Sequence, residues 1–230
     1  VTDAIKQSCD VFFYEISKKL GIDKIAEVAK DFGLGQSYDI SLPNQKTGIV
    51  PNKKWKKEKM GESWYAGETL ISAIGQGFVL TNPFQLAVMT SIIASDGKII
   101  EPTIIKGNRV SFKTNEKYSK EIKIIKKAMF KVVNENKGTA FKSRLQDIKF
   151  AGKTGTSQVR RISLSERESD DFREKEQEWK NRDHALFVGY MPYDDPKYSI
   201  SVIIEHGGSG ASTAAPIAKQ IFNYINELEV

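Results

Sequence analysis

Two short clusters hold residue types that could carry out acyl transfer. Near one end, Ser8-Cys9-Asp10 sets a hydroxyl and a carboxylate two residues apart. Far along the chain, Phe150-Ala151-Gly152-Lys153-Thr154-Gly155-Thr156-Ser157 sets an amine, several hydroxyls and bare backbone in one run. A lysine supplies positive charge for an anionic group, and threonine hydroxyls donate to the same group. A glycine leaves the backbone open to close approach. The amide of the residue after it can point at a charge developing on oxygen. Neither cluster pairs its serine with a lysine three residues on. Serine and lysine three residues apart on a helix share a face, so the amine can deprotonate the hydroxyl. The chain has that spacing once, at Ser95-Asp96-Gly97-Lys98, where Asp-Gly favours a turn. Ser95 is therefore read as a decoy.

Short motifs recur by accident, so context decides between copies. Lys-Thr-Gly occurs at Lys46-Thr47-Gly48 and at Lys153-Thr154-Gly155, and Ser-x-Asp begins at Ser8, Ser37 and Ser169. Lys46-Thr47-Gly48 lies between Pro43 and Pro51, in a loop where glycine serves a turn. The copy at 153–155 lies in a strand pattern, so Lys153 faces one way and the Thr154 hydroxyl the other. Ser8-Cys9-Asp10 directly precedes an apolar helical pattern; the alternative reading of Asp10 is a plain N-cap. Ser37 and Ser169 have no such helix after them.

The elements that must position these residues follow from periodicity. Phe12, Phe13, Ile16 and Leu20 mark one face of a helix over 11–20, closed by Gly21. Ile22, Ile25, Val28, Ala29 and Phe32 mark a second helix over 22–32. Residues 33–64 read as loop. Asn82-Pro83 opens a helix that runs to about Ala94. A strand is expected over 98–105 and a helix over 119–136, ended by Gly138. Strands follow at 150–159, 185–190 and 198–205, the last two joined by Asp194-Asp195-Pro196. A final helix spans 213–228. Helices first and a mostly antiparallel sheet with a covering helix last make an α+β fold. Residues 158–183 are densely charged and are expected to form an excursion between two strands.

Composition narrows the class. The 230 residues are 40% apolar, enough for a substantial core, with a net charge of +6. Lys53, Lys54, Lys56, Lys57 and Lys59 form the densest basic cluster and are read as a solvated loop. With only Trp55 interleaved, that cluster does not point to nucleic acid. No apolar run reaches membrane-spanning length. Cys9 is the single cysteine, so no internal disulfide forms. His184, His206 and Cys9 are too scattered for a zinc signature. His206-Gly207-Gly208-Ser209-Gly210 lacks the Gly-x-Ser-x-Gly elbow of esterases. His206 is expected in the loop before the last helix, beside the cleft.

With these residues placed, further blocks stand out: Trp64-Tyr65-Ala66-Gly67-Glu68, Ile74-Gly75-Gln76-Gly77, Thr81-Asn82-Pro83-Phe84-Gln85, Lys137-Gly138-Thr139-Ala140 and Asp183-His184-Ala185-Leu186-Phe187. In this order they resemble the transpeptidase domain of class B penicillin-binding proteins of the penicillin-binding protein 2 kind, over nearly the whole chain. The resemblance implies a penicillin-binding, serine β-lactamase-like α+β fold of which residues 1–230 are a part. It implies D,D-transpeptidation: a serine attacks the D-Ala-D-Ala carbonyl of a peptidoglycan stem peptide, D-Ala leaves, and a neighbouring amine resolves the acyl-enzyme. β-Lactams would acylate the same serine. Ser8 would relay protons, Asp10 would hydrogen-bond a substrate amide, and Lys153 would supply charge for the terminal carboxylate. Thr154 and Thr156 would donate to that carboxylate, Gly155 would leave room, and the Thr156 amide would complete the oxyanion hole.

The family's Ser-x-x-Lys and membrane anchor are expected upstream of Val1, at the periplasmic face of the inner membrane. The segment alone is then expected to be inactive. A membrane glycosyltransferase and scaffold proteins of cell elongation are the expected partners, with no nucleic acid. No cofactor is expected, although in some relatives the residue matching Cys9 ligates zinc with upstream partners. A non-catalytic penicillin-binding sensor or scaffold domain, and a serine β-lactamase, remain the alternatives.

Overall fold

The computed structural model describes residues 1–106, 112–114, 116–160 and 178–229. The helical part begins with α1 (Thr2–Lys6), α2 (Asp10–Leu20) and α3 (Ile22–Asp31). Gly21 separates α2 from α3: it sits at φ +74°, and its N–H donates to the Ser17 carbonyl at 2.9 Å. Leu20 departs from the expected face, being 53% exposed, and Ser17 is the buried residue of that helix.

The stretch expected to be loop contains α4 (Lys53–Met60). Asn52 caps it by accepting from the Trp55 N–H at 2.7 Å, and Gly61 in the left-handed region ends it. The basic cluster is thus helical, and one member is not solvated. Lys56 is 1% exposed; its amine meets Glu68, lies 3.5 Å from Glu62 and sits 4.2 Å from the Tyr65 ring centre. The charge pattern of the sequence carries no sign of the carboxylates that surround this one. The next helix, α5 (Ala66–Ala73), was also unmarked by periodicity.

Helix α6 (Pro83–Ala94) starts as expected, with Asn82 accepting from the Gln85 N–H at 2.9 Å and proline at the first position. Strand β1 is shorter than expected, Lys98–Ile100, and pairs antiparallel with β2 (Phe112–Thr114). Helix α7 (Ser119–Asn134) then leads toward the main sheet. Strands β3 (Ala151–Ser157), β4 (His184–Met191) and β5 (Tyr198–Ile204) lie antiparallel in that order. One wide turn at Gly210–Ala214 leads into α8 (Ala215–Glu229). This is the α+β architecture the pattern implied.

Alternation along β4 explains how helices cover both faces of the sheet. Ala185, Phe187 and Met191 pack with Ala215, Ala218 and Phe222 of α8. Tyr190 packs on the other face with Val88, Ile92 and Ile93 of α6 and Met129 of α7. Phe187 and Phe222 are fully buried, each worth about 1.5–3 kcal/mol of transfer free energy. The Phe187 ring crosses over Gly152, where an added Cβ would lie 2.2 Å from it. Glycine before Lys153 is therefore a packing requirement of the strand that carries the candidate site. Residues 161–177, most of the charged segment, lie outside the described residues.

Candidate active site

Strand β3 has β4 on one side only, so among the described residues its other edge borders a cleft of about 350 Å³. Ser8, Asp10, Lys153, Thr154, Gly155 and Thr156 all line it. Four consecutive strand residues can do so because the cleft runs along the strand's edge. Side chains from both faces then reach it.

Ser8 arrives from the bend between α1 and α2. It sits at φ +52°, a conformation rare for a serine, and the Cys9 N–H anchors the bend by donating to the Ala4 carbonyl at 2.9 Å. Such backbone is held only where surrounding contacts fix it. Here the Lys153 amine donates to Ser8 Oγ in a very short contact, joining residues 145 positions apart. The plain N-cap reading of Asp10 fails. Cys9 is the cap residue, no side chain caps the helix, and Asp10 is exposed at the first helical position, free to line the cleft.

Lys153 also donates to the Thr154 carbonyl at 2.7 Å. An ammonium has three N–H bonds, so one is left for a ligand. Burial pushes its pKa down to about 8, and the nearby Asp10 charge opposes that shift only in part. Near neutral pH the neutral amine is therefore far more populated than for an ordinary lysine. The same side chain can therefore hold an anion or take a proton from Ser8.

Two cleft residues were missed as site residues, although both fall in sequence blocks noted above. Thr139 Oγ1 lies 2.7 Å from Thr154 Oγ1. Its loop is drawn in by Gly138, whose missing Cβ would stand 2.3 Å from the Val132 carbonyl at the end of α7. Gln76 donates from Nε2 to the Thr156 carbonyl at 2.9 Å. Within an extended strand, a residue's N–H and C=O leave toward the same edge. The Thr156 N–H therefore faces the cleft as its carbonyl does. Ser209 and Ala211 complete the far wall. Gly210 between them packs so tightly on β3 that an added Cβ would stand 2.3 Å from the Gly155 carbonyl.

The decoys behave as decoys. Ser95 ends α6 and donates to the Ser91 carbonyl at 2.7 Å, with Asp96 and Gly97 at φ +58° and +94°. Gly48 sits at φ +68° against the Leu80 carbonyl. Ser169 lies outside the described residues. His206 does not line the cleft. Its ring lies tilted against that of Trp179 with centres 4.4 Å apart, and its backbone N–H donates to His184 Nδ1 at 2.9 Å. That pairing draws it over the end of β4. Cys9 is exposed, and among the described residues no group of three or more His, Cys, Asp or Glu could hold a metal.

A family model described as the penicillin binding protein transpeptidase domain matches residues 1–223. The peptidoglycan D,D-transpeptidase MrdA of Haemophilus influenzae is 33% identical over 96% of this chain and 35% of its own length. MrdA of Acinetobacter baumannii is 34% identical over 96% of this chain and 34% of its own. The chain thus spans about a third of the length of these curated relatives. Among solved structures, the complex of PBP2 and MreC from Helicobacter pylori matches with a TM-score of 0.86 at 34% identity, covering 99% of this chain and 40% of that one. PBP2 of Pseudomonas aeruginosa in complex with WCK 5153 matches at 0.77 and 32%, covering 96% and 46%.

Proposed function

Because this chain belongs to the penicillin-binding protein transpeptidase family, we propose that it forms one wall of a peptidoglycan D,D-transpeptidase active site, that of the cell-elongation enzyme. The observation that carries the reading is the Ser8–Lys153 contact at the edge of β3. It joins the two clusters that the sequence keeps far apart.

In this reading a serine outside residues 1–230 attacks the carbonyl between two D-alanines. The terminal carboxylate lies against the third N–H of Lys153 and the Thr154 and Thr156 hydroxyls. The Thr156 N–H, facing the cleft, donates to the oxygen that becomes negative. Ser8 passes the proton toward the departing amine, its own oxygen held by Lys153. Asp10 accepts a hydrogen bond from a substrate amide. A penicillin places its own carboxylate and strained carbonyl on the same groups. Asp10 is the one carboxylate among the described cleft residues.

By the same reading the cleft faces the periplasm, and the membrane anchor lies elsewhere, since no helix among the described residues is long and apolar enough to cross a membrane. The Helicobacter pylori PBP2 match was solved with MreC, and another match, at TM-score 0.77, is a peptidoglycan synthase complex coordinating polymerization and crosslinking. A scaffold protein and a polymerising glycosyltransferase are the corresponding partners proposed here.

Labelling with a fluorescent penicillin tests the reading. The complete protein should form a denaturation-stable adduct, and the 230-residue chain alone should form none. A stoichiometric adduct on the chain alone would place the nucleophile inside it and bring Ser95 back into consideration. No adduct on the folded complete protein would overturn the transpeptidase reading.

A further inference from the structure

Helix α5 ends in a two-bond cap. The Gly75 N–H donates to the Ser72 carbonyl at 3.0 Å, and the Gln76 N–H to the Ile71 carbonyl at 3.1 Å. Gly75 takes φ +78°, as the second-to-last position of this cap requires. Gly77 follows at φ +70°, with an added Cβ 3.1 Å from Ile71. Gln76 is therefore fixed at its backbone by the helix before it and by the glycine after it. Its side chain leaves this cap toward β3.

There it makes a two-sided pairing. Nε2 donates to the Thr156 carbonyl at 2.9 Å, and Oε1 accepts from the Gln158 N–H at 3.4 Å. A primary amide presents a donor and an acceptor side by side, as a peptide group does. Those are the two groups that a neighbouring strand would offer at this point of the edge. Gln76 thus stands in for one residue of an absent strand. On its other side, β3 is held here by β4, where Ser157 pairs with His184. The end of β3 is gripped from both edges only while Gln76 is in place.

We infer that Gln76 is a positioning residue for the reaction. By pairing with the edge of β3 at Thr156 and Gln158, it holds the Thr156 N–H aimed into the cleft, where an oxyanion would form. This rests on the transpeptidase reading above. Gln76 touches neither substrate nor the reacting atoms in this proposal.

The test uses the complete protein in wild-type, Gln76→Ala and Gln76→Glu forms. Acylation is followed with an oxo ester and with its thiono counterpart, whose sulfur accepts poorly from an oxyanion-hole N–H. Removing an oxyanion donor outright costs about 100- to 1000-fold, and misaiming one should cost less. Gln76→Ala is expected to slow oxo-ester acylation about tenfold, through the acylation step and not through binding. It should also shrink the oxo-to-thiono rate ratio several-fold, because an impaired hole discriminates less. Gln76→Glu, whose carboxylate cannot donate to the Thr156 carbonyl, should resemble Gln76→Ala or be slower. Melting temperatures should stay near wild type. An unchanged oxo-to-thiono ratio in folded variants would overturn the inference, and so would a loss confined to binding. A wild-type protein that no penicillin or ester acylates would instead sink the transpeptidase reading itself.

Discussion

Replacing Lys153 separates chemistry from stability more cleanly than any other change in this cleft. Its amine donates to Ser8 Oγ and the Thr154 carbonyl, and among the described residues no carboxylate bonds it directly. Its remaining N–H would meet the substrate carboxylate in a charge-assisted bond, worth about 1.5–3 kcal/mol. Losing that converts to about 10- to 100-fold in acylation by penicillin. Burial of this amine acts on stability in the opposite sense. A pKa near 8 in the fold against about 10.5 in the unfolded chain means burial opposes the charge by about 3 kcal/mol. Below pH 8 both states hold the proton and the folded state carries the full penalty. Between pH 8 and 10.5 the unfolded state binds more proton, so this group makes stability rise with pH. Lys153→Met should therefore lose acylation while its melting temperature at pH 7 holds or rises, and that advantage should fade toward pH 10.5. Lys46→Ala is the control. The Lys46 carbonyl accepts from Asn82 Nδ2 at 2.8 Å and the residue lies outside the cleft lining, so acylation should stay within a few-fold. Gel fluorescence with labelled penicillin and thermal melts across pH decide the matter. Equal acylation losses at 153 and 46 would refute the assignment, as would a parallel fall of activity and melting temperature in Lys153→Met.

Three further outcomes follow from the same geometry. Ser8→Ala in the complete protein should slow acylation by about 100-fold or more, the range of positioned proton transfer, with little change in melting temperature; a drop in melting temperature with acylation intact would reduce Ser8 to a bend residue. Thr139→Val removes a hydroxyl 2.7 Å from Thr154 Oγ1 with little change in shape, and should slow acylation about fivefold to tenfold, read as a rate constant with penicillin. Lys56→Ala should lower the melting temperature by several degrees and leave the acylation rate of the folded fraction near wild type; loss of acylation at unchanged stability would show that this lysine belongs to the cleft.

The sheet and its covering helix were legible because alternation and period survive in a single sequence. Phe187 and Tyr190 three positions apart on β4 already point to opposite faces, and the helices that cover them follow. Asn82-Pro83 announced α6 because a cap and a fixed φ act locally. Lys153 was legible through its strand context, and Ser8 through the helix that follows. What escaped had its cause elsewhere in the chain. Helix α4 carries Lys53, Lys54, Lys57 and Lys59 on its exposed surface and has little apolar face, so periodicity could not find it. Thr139 and Gln76 are neutral residues whose importance lies in what they touch, 15 and 80 positions away. Their signal was indirect: each follows a glycine that the backbone requires.

Lys56 and Lys153 show why composition alone could not sort structure from chemistry. At Lys56, burial favours the neutral amine, but Glu68 and Glu62 outweigh it and the net shift is upward. That lysine stays charged and ties α4 to the start of α5, where Glu68 also accepts from the Tyr65 N–H at 2.8 Å. At Lys153, burial meets only a more distant Asp10, and the net shift is downward. A buried amine with its carboxylates in hand is a fastener. A buried amine without them is poised between two protonation states and has a donor to spare. The sequence sets Lys56 between Trp55 and Lys57 and Lys153 between Gly152 and Thr154, and neither setting names the acids that meet the amine. Only the position of acids from other elements separates them, and it puts the titratable one on the edge of β3, against Ser8.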